Sequence, residues 1–376
     1  MTSALFQPLT LRQLTLANRI IVAPMCQYSA DLGSATDWHV IHLGSMTQSS
    51  AGLVLIEATA VSDVGRITPG CLGLWNDANE AALKRVLEAI RPHANTHIGM
   101  QLAHAGRKAS SAAPWHGGML IRPEEDGGWV PISASALPHR PDEPAPRAMT
   151  QADIDAVTNQ FTQSAVRAER LGLEALELHC AHGYLLHQFL SPISNRREDA
   201  YGGSLENRMR LPLAVFDAVR QVWPAHKPLG VRVSASDWLE HTERESWTLP
   251  QTISFARALK DRGCDWIDVS SGGISPEQKI PLGPGYQVHM AQAIREATGL
   301  PVIAVGLITE PQQAEDIVAS GKADMVALAR GMLWNPRWVW HAAAELGGAV
   351  SPPPQSARAA PRAHAKLFAD VPFGMR

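Results

Sequence analysis

Cysteine is scarce in this 376-residue chain, and its four copies, at positions 26, 71, 180 and 264, never form a Cys-x-x-Cys pair. That spacing argues against an iron–sulfur cluster and against a zinc ribbon. Unpaired thiols fit a reducing compartment better than a secreted scaffold held by disulfides, so we expect a cytoplasmic protein. The N-terminus lacks a basic start followed by an apolar core, which predicts no signal peptide.

Long hydrophobic runs and an excess of one charge are missing too. No apolar run approaches the roughly 20 residues that a membrane helix needs, so no membrane is expected as a partner. The formal net charge is only −3, which does not favour nucleic acid. The dinucleotide-binding, P-loop, zincin and α/β-hydrolase motifs are also absent. The chain is 45% apolar and 18% charged, so it can bury a substantial core.

Short runs rich in Val, Ile and Leu recur along the chain. Near-continuous apolar character is typical of strands buried on both faces, as in a parallel sheet covered by helices. A capping box at 150–153 begins one of the intervening helices, and Gly172 ends it. Eight strands in βα alternation predict an α/β fold, a closed (β/α)8 TIM barrel, with a doubly wound sheet as the alternative. The predicted strands are 19–25, 52–58, 97–104, 175–182, 228–234, 266–272, 301–306 and 325–331.

Two irregular segments interrupt this pattern. We interpret residues 1–345 as a single barrel domain, with an excursion at 112–148, after the third strand, that is rich in Pro and Gly. Such an excursion is usually a lid or rim over an active site, and a solvated surface loop is the alternative. Residues 346–376 form an irregular C-terminal tail, which we expect to cross a surface or reach a neighbouring subunit.

Polar groups gather where the predicted strands end, which in a barrel is the site of the chemistry. A lone buried histidine is usually a core residue whose hydrogen bonds are made within the protein. Two histidines and a tyrosine at one strand end instead favour a functional site. Gly306 and Arg330 follow the seventh and eighth strands, where barrels usually bind phosphate. The other polar groups at strand ends are Cys26, Tyr28, Glu57, Gln101, His104, His179, His182, Tyr184, Arg232, Ser270 and Ser271.

The stretch HCAHGY at 179–184 offers imidazoles and a thiol that zinc could also use. The early strands contain no His-x-His pair, however, and strand alternation points Cys180 away from His179. The pattern therefore favours an organic ligand and no metal site, with a metal-dependent barrel hydrolase kept as an alternative.

Four motifs carry a resemblance to a known family. APMCQYSA (23–30), QLAHAGR (101–107), HCAHGYLLHQFLSPISNRREDAYGGSLENRMR (179–210) and ADMVALARGMLWNPRW (323–338) resemble the old yellow enzyme family of FMN-dependent ene reductases. Cys26 with Tyr28 is similar to the bacterial subgroup of xenobiotic reductases and thermophilic-like members. The resemblance runs in order from about residue 5 to residue 340.

The resemblance implies tightly but non-covalently bound FMN and NADPH as a transient reductant. Cys26 would lie near flavin N5, where a thiol can adjust the redox potential; a merely buried small side chain is the alternative. Arg232 would lie by N1 and O2, where a fixed cation stabilises the reduced flavin. The remaining implied contacts are Ala23, Pro24 and Met25 along the ring, Ala58 and Gln101 at its polar edge, and Gly306, Ala329 and Arg330 at the phosphate.

The implied reaction is transfer of hydride from flavin N5 to the β-carbon of an activated alkene, such as an enone, enal, maleimide or nitro compound. His179 and His182 would donate hydrogen bonds to the activating oxygen, and Tyr28 would help to bind it. Tyr184 would protonate the α-carbon; a positioning hydroxyl with water as the acid is the alternative. The resemblance also implies a homodimer or homotetramer, in which Phe373 or Arg376 could enter a neighbouring active site. Another FMN barrel oxidoreductase and a non-catalytic flavin-binding barrel are the remaining alternatives.

Overall fold

The computed structural model describes residues 3–364 and 366–368, and its centre is a closed barrel of eight parallel strands. The last strand pairs with the first, which closes the barrel, so the predicted TIM barrel is confirmed and the doubly wound sheet is wrong. The strands are β1 (Ile20–Val22), β2 (Leu53–Ala60), β3 (His97–Ala103), β4 (Ala175–Cys180), β5 (Leu229–Ser234), β6 (Trp266–Ser270), β7 (Val302–Val305) and β8 (Met325–Leu328).

Helices follow the strands and cover the outside of the barrel. They are α1 (Asp37–Thr47), α2 (Asp77–Ile90), α3 (Gln151–Arg170), α4 (Leu185–Leu190), α5 (Leu205–Val222), α6 (Leu249–Lys260), α7 (Val288–Thr298), α8 (Pro311–Ala319), α9 (Arg330–Trp334) and α10 (Trp338–Leu346). The predicted capping box of α3 is present: Thr150 and Asp153 each satisfy the other's backbone N–H. Gly172 ends that helix at φ +68°, a conformation that favours glycine. Among the described residues, no helix is long and apolar enough to cross a membrane.

The barrel interior is apolar at one end and polar at the other. A hairpin of Leu9–Leu11 and Leu14–Leu16 packs on the apolar end, against inward side chains of β2, β6, β7 and β8. Trp266 fills the space beside Gly230, where a Cβ would meet the indole at 1.9 Å. The hairpin and the indole therefore seal the end where the strands begin. The opposite end, where the strands finish, remains for the polar groups.

The excursion at 112–148 follows β3, and the C-terminal tail follows α10. The excursion at 112–148 contains a 3-10 turn at Pro114–His116 and a short parallel pair, Ile132–Ser133 with Arg147–Ala148. Trp115 of the excursion packs edge-on against Tyr28, with ring centroids 5.7 Å apart. Up to residue 368 the tail folds back on its own chain, since Phe368 pairs with Val350 and contacts Trp340. Phe373 and Arg376 lie outside the described residues.

Candidate active site

The stretch 179–184 forms a sharp turn at the C-terminal end of β4. His182 has φ +58° and Gly183 has φ +73°, and this turn packs backbone to backbone against the loop after β6. A Cβ on Gly183 would come within 2.1 Å of Gly273 O, and one on Gly273 within 2.4 Å of the His182 carbonyl carbon. Both glycines are therefore needed to hold the imidazole of His182 at the mouth of the barrel.

The two imidazoles lie side by side, with His179 Nε2 3.3 Å from His182 Nδ1. The Ala181 N–H donates to His179 Nδ1, so the proton of neutral His179 is on Nε2 and faces the mouth. His182 Nε2 lies 2.6 Å from the Ser270 hydroxyl, which can either accept or donate. When Ser270 donates, Nδ1 of His182 carries the proton, and both rings then offer an N–H to the same point.

Burial keeps both rings neutral. The pKa values of His179 and His182 lie well below the ordinary value because of burial, and the positive charge of Arg232 lowers them further. The ring of Tyr184 meets His179 edge-on at 4.9 Å. Burial, reinforced by Cys26 and Tyr28, raises the pKa of Tyr184 well above its usual range. The site thus holds three neutral polar side chains, two imidazoles and a phenol.

A buried histidine–aspartate pair, His187 and Asp237, supports this turn, and the sequence reasoning missed it. His187 on α4 accepts a hydrogen bond from the Gly183 N–H at 3.0 Å, and its Nε2 lies 3.1 Å from Asp237 Oδ1. Asp237 in turn accepts from Ser191 and from the Trp247 N–H. All of these side chains are buried. His187 follows the motif by three residues, but nothing in the sequence pattern brings Asp237 beside it.

The segment after β1 lines another side of the mouth. Ala23 is buried, and Pro24, Met25, Cys26 and Tyr28 are half-buried. The Gln27 N–H donates to Glu57 Oε2 at 2.9 Å, which ties the segment to β2 next to buried Ala58. Burial raises the pKa of the Cys26 thiol, and Cys71 and Glu57 add to the rise, so Cys26 is a neutral thiol. Burial likewise raises the pKa of the Tyr28 phenol.

A layer of buried polar side chains lies inside the barrel beneath the histidines. Arg232 and Asp268 are register partners on β5 and β6, and Arg232 Nε lies 3.2 Å from Asp268 Oδ2. Glu177 on β4 accepts hydrogen bonds from Gln101 at 2.8 Å and from Trp266 at 3.1 Å. Burial, with a smaller contribution from the negative charge of Asp268, raises the pKa of Glu177 to about 8. Sequence reasoning found Gln101 and Arg232 but missed both carboxyl groups, although each occupies an inward position of its strand.

A third region is a cavity of about 170 Å³ between the loops after β7 and β8. Its lining contains two arginines, Arg232 and Arg330, and no carboxylate. Gly306 has φ +125°, and a Cβ there would approach Gln287 Nε2 to 2.7 Å and Tyr286 Cε1 to 2.9 Å. At Gly306 no side chain covers the backbone, so the backbone itself forms the cavity wall. Ala329 and exposed Arg330 also line the cavity. Such a cationic cradle suits a phosphate.

A metal does not fit the same residues. Within the described part of the chain, no group of three or more His, Cys, Asp or Glu side chains could hold a metal ion. Cys180 belongs to the apolar layer between barrel and helices, on the opposite face of β4 from His179. The imidazoles of the turn are instead arranged around a point that an acceptor oxygen can occupy.

Comparison with known proteins gives a family match and close relatives. The profile of the NADH:flavin oxidoreductase / NADH oxidase family matches residues 4–347. An NADH:flavin oxidoreductase of Gibberella zeae is 45% identical over 92% of this chain and 86% of its own length. An NADPH dehydrogenase of Geobacillus thermodenitrificans is 43% identical over 95% of this chain and 99% of its own. The structure of morphinone reductase superposes with a TM-score of 0.75 at 29% identity, covering 99% of this chain and 97% of that one.

Proposed function

The chain belongs to the NADH:flavin oxidoreductase / NADH oxidase family and is a flavin-dependent NADPH dehydrogenase of the old yellow enzyme type with FMN as its cofactor, and we propose that it reduces activated alkenes. The resemblance to the old yellow enzyme family is thereby confirmed. The observation that carries the proposal is the pair of neutral imidazoles beside Tyr184 at the barrel mouth. Three neutral donors around one point suit a polarised carbonyl or nitro oxygen and its adjacent carbon.

The residues of the mouth fit FMN. The cationic cavity with bare backbone at Gly306 would hold the phosphate, with Arg330 as its charged contact and Ala329 beside it. Buried Arg232 would hold the polar edge of the ring together with Gln101 and Ala58. The segment Ala23, Pro24, Met25 and Cys26 would line its side. Bound there, FMN would supply two-electron redox chemistry that links oxidation of NADPH to hydride transfer to the β-carbon of the alkene.

Each side chain at the mouth then has a defined task. His179 Nε2–H and His182 Nδ1–H bind the activating oxygen of an enone, enal, maleimide or nitro compound and stabilise the negative charge that develops there. In this proposal the Ser270 hydroxyl, 2.6 Å from His182 Nε2, donates to that nitrogen and so keeps the proton of His182 on Nδ1. Tyr28 closes the outer side of the site, and neutral Cys26 lies beside it. Tyr184 holds the proton that the α-carbon receives.

Replacing Tyr184 by phenylalanine tests its task directly. We expect Tyr184→Phe to slow the alkene half-reaction by roughly 100-fold or more, the usual contribution of a positioned general acid. The NADPH half-reaction needs no proton from the phenol and should change little. Stopped-flow measurement of the two half-reactions separates these effects. An unchanged alkene half-reaction would assign the proton to water and leave Tyr184 as a positioning hydroxyl.

The lowered histidine pKa values predict a specific pH profile. An ordinary imidazole protonates near pH 6.5, but His179 and His182 have pKa values far below that and stay neutral as the pH falls. Tyr184 stays protonated because its pKa is raised. We therefore expect the alkene half-reaction with a neutral enone to vary less than about twofold between pH 5.5 and pH 7.5. An acidic limb centred near pH 6.5 would contradict the neutral pair.

We propose a homodimer or homotetramer, as the family resemblance implies. The cytoplasm is the compartment that fits its four free cysteines. Small activated alkenes are the proposed partners. The excursion at 112–148 is proposed as a rim of the site, supported by the packing of Trp115 on Tyr28.

A further inference from the structure

A second cavity, of about 250 Å³, opens beside Tyr28 between the loop after β3 and the excursion at 112–148. Its wall carries three permanently or usually positive side chains, Arg107, Lys108 and Arg140, together with His139. Glu143 is the single carboxylate in the lining, and its Oε1 lies 3.9 Å from Arg140 Nε. The cavity is therefore positively charged.

The two inner cations are held by backbone carbonyls alone. Arg107 donates to Leu137 O and Pro138 O, each at 3.2 Å, and to Ile274 O at 2.6 Å. Lys108 Nζ donates to His182 O at 2.9 Å and to Gly273 O at 3.2 Å. In the part of the chain that the structure describes, neither side chain forms an ion pair with a carboxylate, and Arg107 Nε is buried without a hydrogen-bond partner. The ammonium of Lys108 has three N–H groups, so one remains for a ligand.

Arg107 and Lys108 are neighbouring buried cations that form no direct ion pair within the described residues, which is electrostatically costly even though Glu143 acts on both at longer range. Burial, with a smaller contribution from the adjacent charge of Arg107, lowers the pKa of Lys108 to about 8. Burial also lowers the pKa of Arg107 to about 10. Charges removed from water are retained only when something compensates them. Carbonyl dipoles supply part of that compensation, and a bound anion would supply the rest.

The cavity adjoins the proposed active site through Lys108 and Tyr28. Lys108 Nζ lies 5.2 Å from the centre of the Tyr184 ring and bonds to the carbonyl of His182 itself. Tyr28 lines the cavity and belongs to the half-buried segment after β1. An anion held by Lys108 and Arg140 would therefore be part of the same molecule whose reacting end lies at His179 and His182.

We propose that this cavity binds an anionic group, a carboxylate or a phosphate, carried by a molecule that reacts at the neighbouring histidines. The inference rests on the proposed alkene reduction and specifies the class of molecule that the site prefers. Two sources share this chemistry: an alkene substrate bearing a carboxylate, and NADPH, which carries a phosphate that NADH lacks. The opposing account is that Lys108 and Arg107 merely fasten the turns at His182 and Gly273.

The test, on the FMN-loaded enzyme, uses two ligand pairs, and in each pair one member carries an anionic group that the other lacks. Variants Lys108→Met and Arg140→Gln remove a cation from the cavity wall, and Arg122→Gln, an exposed arginine of the same excursion outside the cavity, is the matched control. Dissociation constants of 4-hydroxybenzoate and its methyl ester come from perturbation of the flavin spectrum. Those of NADPH and NADH come from the concentration dependence of anaerobic flavin reduction.

In one pair, we expect both cavity variants to weaken binding of the member with the extra anionic group, by on the order of tenfold for Lys108→Met. Binding of the member that lacks the group, and all binding by the control variant, should be unaffected. Selective loss of affinity for 4-hydroxybenzoate identifies a substrate carboxylate, and selective loss of affinity for NADPH identifies the cofactor phosphate. Equal losses of affinity for both members of each pair, or no loss in either pair, would overturn the proposal. Arg140→Gln keeps the test open if Lys108→Met does not fold, because Arg140 is exposed. Failure of wild-type enzyme to reduce 2-cyclohexenone would instead overturn alkene reduction, since that substrate carries no anion.

Discussion

Replacing His179 or His182 by alanine is expected to slow the alkene half-reaction by roughly 100- to 1,000-fold, the usual effect of removing one donor from an oxyanion-binding site. In the proposed arrangement each imidazole offers one N–H to the same oxygen: Ala181 fixes the proton of His179 on Nε2, and donation by Ser270 places that of His182 on Nδ1. Affinity for phenolic ligands should fall in both variants. FMN should remain bound, since its proposed contacts lie on other strands. The measurement is a stopped-flow alkene half-reaction with the flavin content of each variant recorded.

Two further variants make this prediction specific. His289 is an exposed histidine on α7, and His289→Ala should behave as the wild type. Asparagine at position 179 keeps an N–H donor, so His179→Asn should recover part of the rate that alanine loses. Near-normal enone reduction by the double variant His179→Ala/His182→Ala would contradict the assignment of the donors.

Replacing Arg330 by alanine is expected to weaken FMN binding by roughly 10- to 100-fold, the effect of losing a charge-assisted hydrogen bond. Arg330 lines the cavity after β7 and β8, makes no ion pair within the described residues, and faces no carboxylate in the lining. Titration of the apoprotein, followed by quenching of flavin fluorescence, measures the dissociation constant. Arg330→Lys keeps the charge without the planar fork and should lose less.

Riboflavin supplies the matched control, because it has the same ring and lacks the phosphate. Wild type and Arg330→Ala should bind riboflavin with the same affinity. A loss for riboflavin equal to the loss for FMN would show that Arg330 supports the loop rather than the phosphate. Unchanged retention of FMN through dialysis would also contradict the prediction.

The barrel could be predicted from sequence because parallel strands covered on both faces leave a clear pattern. Eight apolar runs and the capping box at Thr150 each correspond to an element of the structure. The residues at the strand ends followed from the same reasoning, since the topology of a barrel collects them at one mouth. His179 and Arg232, for example, are register partners on adjacent strands.

Other parts of the site depend on contacts that no periodic pattern encodes. The positive φ values of His182 and Gly183 arise from packing against Gly273, a loop some 90 residues away in the chain. Lys108 was missed because its position at the mouth depends on carbonyls of two separate turns. Glu177 and Asp268 look, in the sequence, like single polar residues within apolar strands. The closed barrel brings them near enough for the charge of Asp268 to raise the pKa of Glu177.

The central claim is that this protein reduces activated alkenes with electrons from NADPH, and one anaerobic spectral experiment tests it. The visible spectrum of the purified protein is recorded before NADPH, after NADPH, and after 2-cyclohexenone. We predict a flavin band that bleaches with NADPH and returns when the enone is added. A band that bleaches and does not return with this or other activated alkenes would contradict alkene reduction, and a colourless protein that FMN cannot reconstitute would contradict the flavin site itself.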